Sequence, residues 1–150
     1  MKTFRLSLYA SCLLLATILV SFNTPTALPD EVVAKTNDFR KANGLAALQV
    51  NIALTKLAQQ HSEAMAKGRT PFGHDGFNKR NTKATAQIMA LSSFAENVAY
   101  GAETATQVVD NWKSSQGHRK NMLGKSFKFI GVGVARSTSG QLYYTQLFGG

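Results

Sequence analysis

The sequence is poor in cysteine, and this shortage limits what the protein can be. Its one cysteine, Cys12, lies inside an apolar run near the N-terminus, so the rest of the chain carries no thiol. The absence of thiols excludes disulfide bonds, a cysteine nucleophile and thiolate metal ligands from that remainder. A small domain of this kind must be held together by packing.

Acidic residues are also scarce, because 17 lysines and arginines face 8 aspartates and glutamates and give a formal net charge of +9. A basic domain outside the cell would meet anionic lipid, acidic polysaccharide or a cell-wall polymer. The basic residues are scattered and are not interleaved with aromatic residues in a known binding motif, which disfavours nucleic acid as a partner.

The N-terminus is typical of a secretory signal peptide. Lys2 and Arg5 precede an apolar run over 6–22, and small or turn-forming residues follow up to Ala27. We predict cleavage near Ala27, which leaves 28–150 as a single domain without a transmembrane segment. The predicted location is therefore secreted or extracellular, with a periplasm as a further option. The alternative is an uncleaved anchor, since a run of about 17 apolar residues approaches the length that spans a bilayer.

Helical patterns dominate the first part of the remaining chain. Caps and apolar spacing predict helices from Asp30 to about Ala42, from the Asn51 cap to Gly68, and from Asn81 to Leu91. A capping box formed by Thr104 and Gln107 predicts another, which Gly117 would end.

Three extended segments complete the pattern. SFAENVAYG alternates apolar and polar residues, and FKFIGVGVARS and QLYYTQLFG are typical of two strands joined by a short turn. Gly131 and Gly133 lie on one side of their strand and leave room for another element to pack against the backbone. The predicted fold class is α+β, with helices packed on an antiparallel sheet.

Glu96 is the first candidate for chemistry, because it shares a strand face with apolar residues. A buried carboxylate needs a cationic or hydrogen-bonding partner. His118 is the expected partner, since the turn predicted at Gly117 would bring it to the edge of the core. A structural ion pair between Glu96 and a lysine, or a helix-capping role for His118, remain as alternatives.

The other two histidines are read differently. His74 lies in a loop between Gly73 and Asp75, where Asp75 could orient its imidazole. His61 falls on the apolar stripe of its helix and is predicted to be a core histidine satisfied by hydrogen bonds.

His74 and His118 together with Glu96 could hold Zn²⁺ with water in an open position. A serine hydrolase is disfavoured, because Ser114 and Ser115 are not part of a G-x-S-x-G motif.

Six ordered stretches together resemble the CAP superfamily, which includes cysteine-rich secretory proteins, antigen 5 and pathogenesis-related 1 proteins. These stretches are AQQHSEAMA, FGHDGF, AENVAYG, VVDNWKSSQGHRKNML, IGVGVA and YYTQLF, and the resemblance covers residues 31–148. In having no cysteine in these stretches, the chain is similar to the bacterial exported branch of this superfamily. The resemblance implies an α-β-α sandwich, with a three- or four-stranded antiparallel sheet between helices.

The resemblance also implies a cleft lined by two histidines and two acidic residues. Carried over by motif, the histidines are His74 and His118 and the first glutamate is Glu96, although Ala95 replaces the usual glycine of the motif. Ser115 occupies the position of the second glutamate, so the set of four is incomplete. In metal-binding members the histidines are the ligands, which makes His74 and His118 the expected ligands for zinc or another divalent cation.

The expected function is that of an exported, non-enzymatic binding protein, whose extracellular ligand is a protein, a cell-wall polymer or a lipid. No catalytic residue is assigned beyond Glu96 as a candidate. The first alternative is a metal-dependent, peptidase-like hydrolase in which Glu96 acts as general base on water held at His74 and His118. The second is a lipid or sterol carrier with an apolar pocket between helices.

Overall fold

The computed structural model describes residues 27–150, and the predicted signal peptide lies almost entirely outside the described residues. The described part contains five helices and four strands. In chain order these are α1 (Leu28–Ala42), β1 (Gln49–Val50), α2 (Ile52–Ala66), α3 (Phe77–Gln87), β2 (Phe94–Tyr100), α4 (Ala105–Ser114), α5 (Gln116–Met122), β3 (Phe129–Arg136) and β4 (Leu142–Gly149).

The strands form one sheet in the order β1-β3-β4-β2. β4 pairs antiparallel with β3, as predicted, and also with β2, whereas β1 pairs parallel with β3 through Gln49 opposite Phe129. The sheet is therefore mostly antiparallel with one parallel pair. β1 has only two residues, which is too short to give a pattern in the sequence.

Helices cover both faces of the sheet, so the architecture is the predicted α+β sandwich. On one face α2 and α3 bury a core built around Leu54, Leu57 and Leu147. On the other face α1 and α4 bury a larger core that includes Trp112 and Phe148. Leu147 and Phe148 are consecutive in β4, and successive side chains of a strand point to opposite faces.

α2 approaches the sheet closely at Gly131 and Gly133 of β3, where the sequence predicted that another element would pack against the backbone. A Cβ added to Gly131 would lie 2.3 Å from the backbone carbon of Leu54, and one added to Gly133 would lie 2.2 Å from the backbone nitrogen of Gln59. These distances leave no room for a side chain, so α2 is seated directly on the strand backbone.

Several predicted helix ends are wrong. α1 begins at Leu28, before the predicted cap at Asp30. α3 spans Phe77–Gln87 and not Asn81 to Leu91, because Gly76 adopts a left-handed φ of 76° before it and Ile88 turns extended and enters the core after it. The Asn51 cap of α2 and the capping box of α4 are confirmed.

The turn predicted at Gly117 is also wrong. The break between α4 and α5 occurs at Ser115, which has an extended conformation with φ −94° and ψ 120°. Gly117 and His118 lie inside α5, so His118 does not cap the end of α4. α5 is held by Met122, whose side chain is fully buried in the larger core. Within residues 27–150, no helix has both the length and the apolar character needed to cross a membrane.

Candidate functional site

Glu96 lies in the middle of β2 on the face covered by α2. It pairs in register with Leu147 of β4, which packs in the same core as Leu54. Its side chain is 0% exposed. A carboxylate in such a position is unfavourable unless charged or hydrogen-bonding groups compensate for the lost water.

Arg80, in the first turns of α3, supplies that compensation. Its Nε donates to Oε2 of Glu96 at 2.6 Å and its Nη2 donates to Oε1 at 2.7 Å, which is a bidentate pair. Nη2 also donates to the carbonyl of His74, and Nη1 donates to the carbonyl of Asp75 and to Nδ1 of His61. All five N–H groups of the guanidinium are therefore engaged. The cationic partner of Glu96 is therefore Arg80, and the expectation of a lysine or His118 in that position is wrong.

His74 is the second partner of Glu96. Its Nδ1 lies 2.9 Å from Oε1, and because an ionised carboxylate only accepts, this nitrogen carries the hydrogen. The neutral imidazole then presents Nε2 as an acceptor, on a side chain that is 53% exposed. Glu96 thus orients His74, which corrects the expectation that Asp75 does so.

His61 supports the loop behind His74. It is buried, and its Nε2 donates to the carbonyl of Gly73 at 2.8 Å, which leaves Nδ1 to accept from Arg80 at 3.2 Å. The prediction of a hydrogen-bonded core histidine is confirmed. Burial lowers the pKa of His61, which favours the neutral form that this pair of hydrogen bonds needs.

His118 approaches the site from α5. The Asn97 side chain donates to the carbonyl of His118, and the Asn121 side chain donates both to Asn97 and to the carbonyl of Glu96. These hydrogen bonds connect α5 to β2. Burial lowers the pKa of the His118 imidazole, and a positive charge on His74 would lower it further.

The four predicted cleft residues are thus unequally placed. His74 and Glu96 line an open cleft of about 420 Å³, whose other walls are Phe77, Phe94, Ala95 and Asn121. Ser115 is half-buried at the junction of α4 and α5, and His118 is half-buried in α5; neither is among the residues lining this cleft. The cleft combines an apolar wall with one free imidazole nitrogen, which suits a ligand that is partly apolar and carries a donor or a positive centre.

Sequence reasoning missed Arg80, although it anticipated a cation beside Glu96. The residue lies in the polar run FNKRNTK, and nothing in that run distinguishes it from its neighbouring lysines. The only indication of such a partner came from Glu96, because an isolated carboxylate on an apolar face requires a cation or hydrogen-bond donor from elsewhere in the fold.

The donor set can be tested against a divalent cation. His74 fits, because a histidine ligand commonly donates its other nitrogen to a carboxylate, as His74 does to Glu96. Across residues 27–150 no group of three or more histidine, cysteine, aspartate or glutamate side chains is arranged to hold a metal. Two imidazoles would leave the remaining coordination positions to water or to a bound molecule.

Comparison with protein families gives a match over almost all of the described residues. The profile of the CAP family, described as the cysteine-rich secretory protein family, matches residues 33–148. The Bacillus subtilis protein YkwD is 35% identical over 135 residues, which cover 84% of this chain and 51% of YkwD. The B. subtilis membrane protein YlbC is 30% identical over 125 residues, which cover 82% of this chain and 34% of YlbC. The chain therefore spans about half of one curated relative and about a third of the other.

Solved structures share the fold. An extracellular SCP-domain protein from Bacillus anthracis gives a TM-score of 0.68 at 26% identity, covering 79% of this chain and 39% of that chain. A cysteine-rich secretory protein from Staphylococcus aureus gives 0.66 at 23% identity, covering 83% and 40%. An outer surface protein from Borrelia burgdorferi gives 0.67 at 21% identity, covering 80% and 90%.

Proposed function

Because the chain belongs to the CAP (cysteine-rich secretory protein) family, we propose that it is an exported, non-enzymatic binding protein whose ligand occupies the cleft beside His74. The similar proteins described as extracellular or outer-surface support the extracellular location. The proposed ligand is an extracellular protein, a cell-wall polymer or a lipid.

The proposal rests on the burial and hydrogen bonding of Glu96. Its two carboxylate oxygens accept three hydrogen bonds, two from Arg80 and one from His74. A general base needs an oxygen that can take a proton from water or substrate. Glu96 is buried, and both of its oxygens already accept hydrogen bonds from these donors. This arrangement favours a role in structure and in orienting His74 over the general-base role that Glu96 would have in a hydrolase.

His74 is the group that Glu96 prepares for binding. With Nδ1–H fixed on the carboxylate, Nε2 is held in one orientation at the mouth of the cleft. A ligand donor could bind Nε2 directly while its apolar part contacts Phe77 and Phe94, whose ring centroids are 5.3 Å apart. This combination favours recognition of a molecule with both polar and apolar parts.

A divalent cation at His74 and His118 is the second form of the same proposal. Zn²⁺ bound there would act as an electrostatic anchor for an oxygen of the ligand. The supporting observation is the Glu96–His74 hydrogen bond, which is the usual arrangement behind a histidine metal ligand. Glu96 would then support His74 without contacting the ion.

Calorimetric titration of the purified, metal-free protein with ZnCl₂ at pH 7.5 and pH 5.5 tests the metal form. We expect binding at pH 7.5 that weakens in acid, because imidazole ligands must be neutral, and that disappears in His74→Ala and in His118→Ala. Asp75→Asn is the matched control, since it removes an exposed carboxylate next to His74. Binding that survives both histidine variants would place the ion elsewhere and refute the two-histidine site.

Peptidase and esterase assays of the zinc-loaded protein separate the binding protein from the hydrolase. We expect no turnover above that of His74→Ala. Metal-dependent turnover that is lost in Glu96→Gln, in a variant that remains folded by circular dichroism, would contradict the non-enzymatic assignment.

A further inference from the structure

Three aromatic side chains form an exposed cluster at the end of β2. Tyr100 of β2 lies directly opposite Tyr143 of β4, with ring centroids 6.0 Å apart and planes inclined by 23°. Phe72, from the loop between α2 and α3, meets Tyr100 edge-on at 4.6 Å and lies 6.5 Å from Tyr143. We call these three rings the aromatic platform.

The platform is open to solvent. Phe72 is 47% exposed and Tyr100 is 53% exposed, whereas Tyr143 is half-buried. The neighbouring Tyr144 is buried and donates its hydroxyl to the carbonyl of Ala102, but neither platform tyrosine forms a hydroxyl hydrogen bond with a described residue. The contact of Phe72 with Tyr100 helps to hold the loop, yet it leaves ring surface and hydroxyl groups free for a ligand.

A groove with both polar and apolar walls adjoins the platform through Tyr143. This groove has a volume of about 460 Å³ and is also lined by Lys67, Ser137, Thr138 and Ser139. Ring surfaces therefore lie beside hydroxyl groups and an ammonium group. Pyranose rings present a flat C–H face that packs on aromatic rings, while their hydroxyl groups pair with polar side chains at the edge.

We propose that the aromatic platform and this groove bind an acidic glycan chain. Lys67 lines the groove and is exposed, and Arg69 is exposed in the turn that leads to Phe72. The ion pair of Lys67 with Glu63 is 3.7 Å long and exposed, so it is weak enough to exchange for a glycan carboxylate. The excess of basic residues in the whole chain acts in the same direction.

A protein partner fits this surface less well. The core of a protein interface is a broad, desolvated apolar area, whereas here the three rings and the apolar part of the groove at Met65 and Ala66 lie beside hydroxyl and charged groups. The platform is also distinct from the cleft of the proposed function. Tyr100 lies four residues beyond Glu96 along β2, which corresponds to about 13 Å, so the inference stands whether or not the cleft binds a ligand.

Two oligosaccharides of similar length test the proposal. NMR titration of the purified protein with hyaluronan hexasaccharide, which is acidic, is compared with titration by chitohexaose, which is neutral. We expect the acidic oligomer to shift the aromatic resonances of the platform and to bind more tightly than the neutral one, with an affinity that falls as salt is added. Tyr100→Ala should weaken binding about tenfold. Lys67→Gln should weaken only the acidic oligomer.

Matched variants keep the outcome interpretable. Met89→Ala removes an apolar side chain that is 96% exposed and lies outside the platform, and it should leave binding unchanged. Phe72→Leu retains an apolar anchor for the loop while removing a ring, so a loss of affinity there is not a loss of folding. Platform resonances that stay unshifted with both oligomers would overturn the proposal. So would equal affinity for the two, or shifts that follow protein concentration in the absence of glycan, which would indicate a protein contact.

Discussion

The buried pair of Arg80 and Glu96 should dominate the stability of the site, and replacing Arg80 by methionine tests this directly. Arg80→Met removes two of the three hydrogen bonds to a carboxylate whose side chain is 0% exposed. Breaking a buried ion pair by removing one partner costs about 3–5 kcal/mol, because the remaining charge stays desolvated. The carbonyls of His74 and Asp75 also lose a donor, but both residues are exposed and water can replace it.

Urea unfolding followed by Trp112 fluorescence measures the effect, since this single tryptophan is 1% exposed and will report global unfolding. A loss of about 3–5 kcal/mol is a large part of the roughly 5–15 kcal/mol that stabilises a typical domain. Lys79→Met is the matched control, because it removes the adjacent exposed cation of α3 and should change stability by no more than about 0.5 kcal/mol.

A double-mutant cycle separates the ion pair from the loss of either side chain. Arg80→Met combined with Glu96→Leu leaves no unpaired charge, and such apolar replacements of buried pairs are often neutral. We therefore expect the double variant to lose less stability than the two single variants together, by about 2 kcal/mol or more in the free energy of unfolding. Additivity within about 0.5 kcal/mol would refute the view that the two side chains stabilise each other.

Three further predictions concern the rest of the described chain. Gly131→Ala should destabilise by about 1–3 kcal/mol or more in urea unfolding, because its Cβ would lie 2.3 Å from the backbone of Leu54, whereas Gly117→Ala, with nothing within 4 Å, should stabilise by about 0.5–1 kcal/mol. Arg40→Met should cost roughly 3 kcal/mol in the same assay, since the buried guanidinium donates to three backbone carbonyls. The C2 proton of His118 should titrate below pH 6.5 by NMR; burial lowers its pKa, so its contribution to stability is complete above pH 6.5 and is lost as the pH falls through the folded-state pKa.

Local sequence signals predicted the features that local interactions determine. The Asn51 cap accepts from the backbone of Ala53 and Leu54, and the Thr104–Gln107 capping box forms within four residues. The glycines of β3 marked a close approach, although the sequence did not reveal that α2 would be the element that approaches. In each case the residue type permits few alternatives at that position.

Features that depend on distant contacts were missed or misplaced. Gly117 has the highest tendency in its segment to end a helix, yet the chain resumes a helix there because Met122 is drawn into the core on the far side. Arg80 reaches Glu96, sixteen residues on, only because α3 docks against the sheet. Such pairings are set by tertiary packing, and no local pattern around either residue records them.

The loop between α2 and α3 connects these predictions, because both proposed sites depend on it. His61 holds the carbonyl of Gly73, and Arg80 holds the next two carbonyls while fixing Glu96 for His74. Phe72 belongs to the aromatic platform and lies only two residues from His74 in the cleft. A loop ordered in advance does not have to be ordered when a ligand binds, which favours affinity. Arg80→Met should therefore weaken glycan binding at the platform and zinc binding at the cleft together, although Arg80 is not expected to contact either ligand.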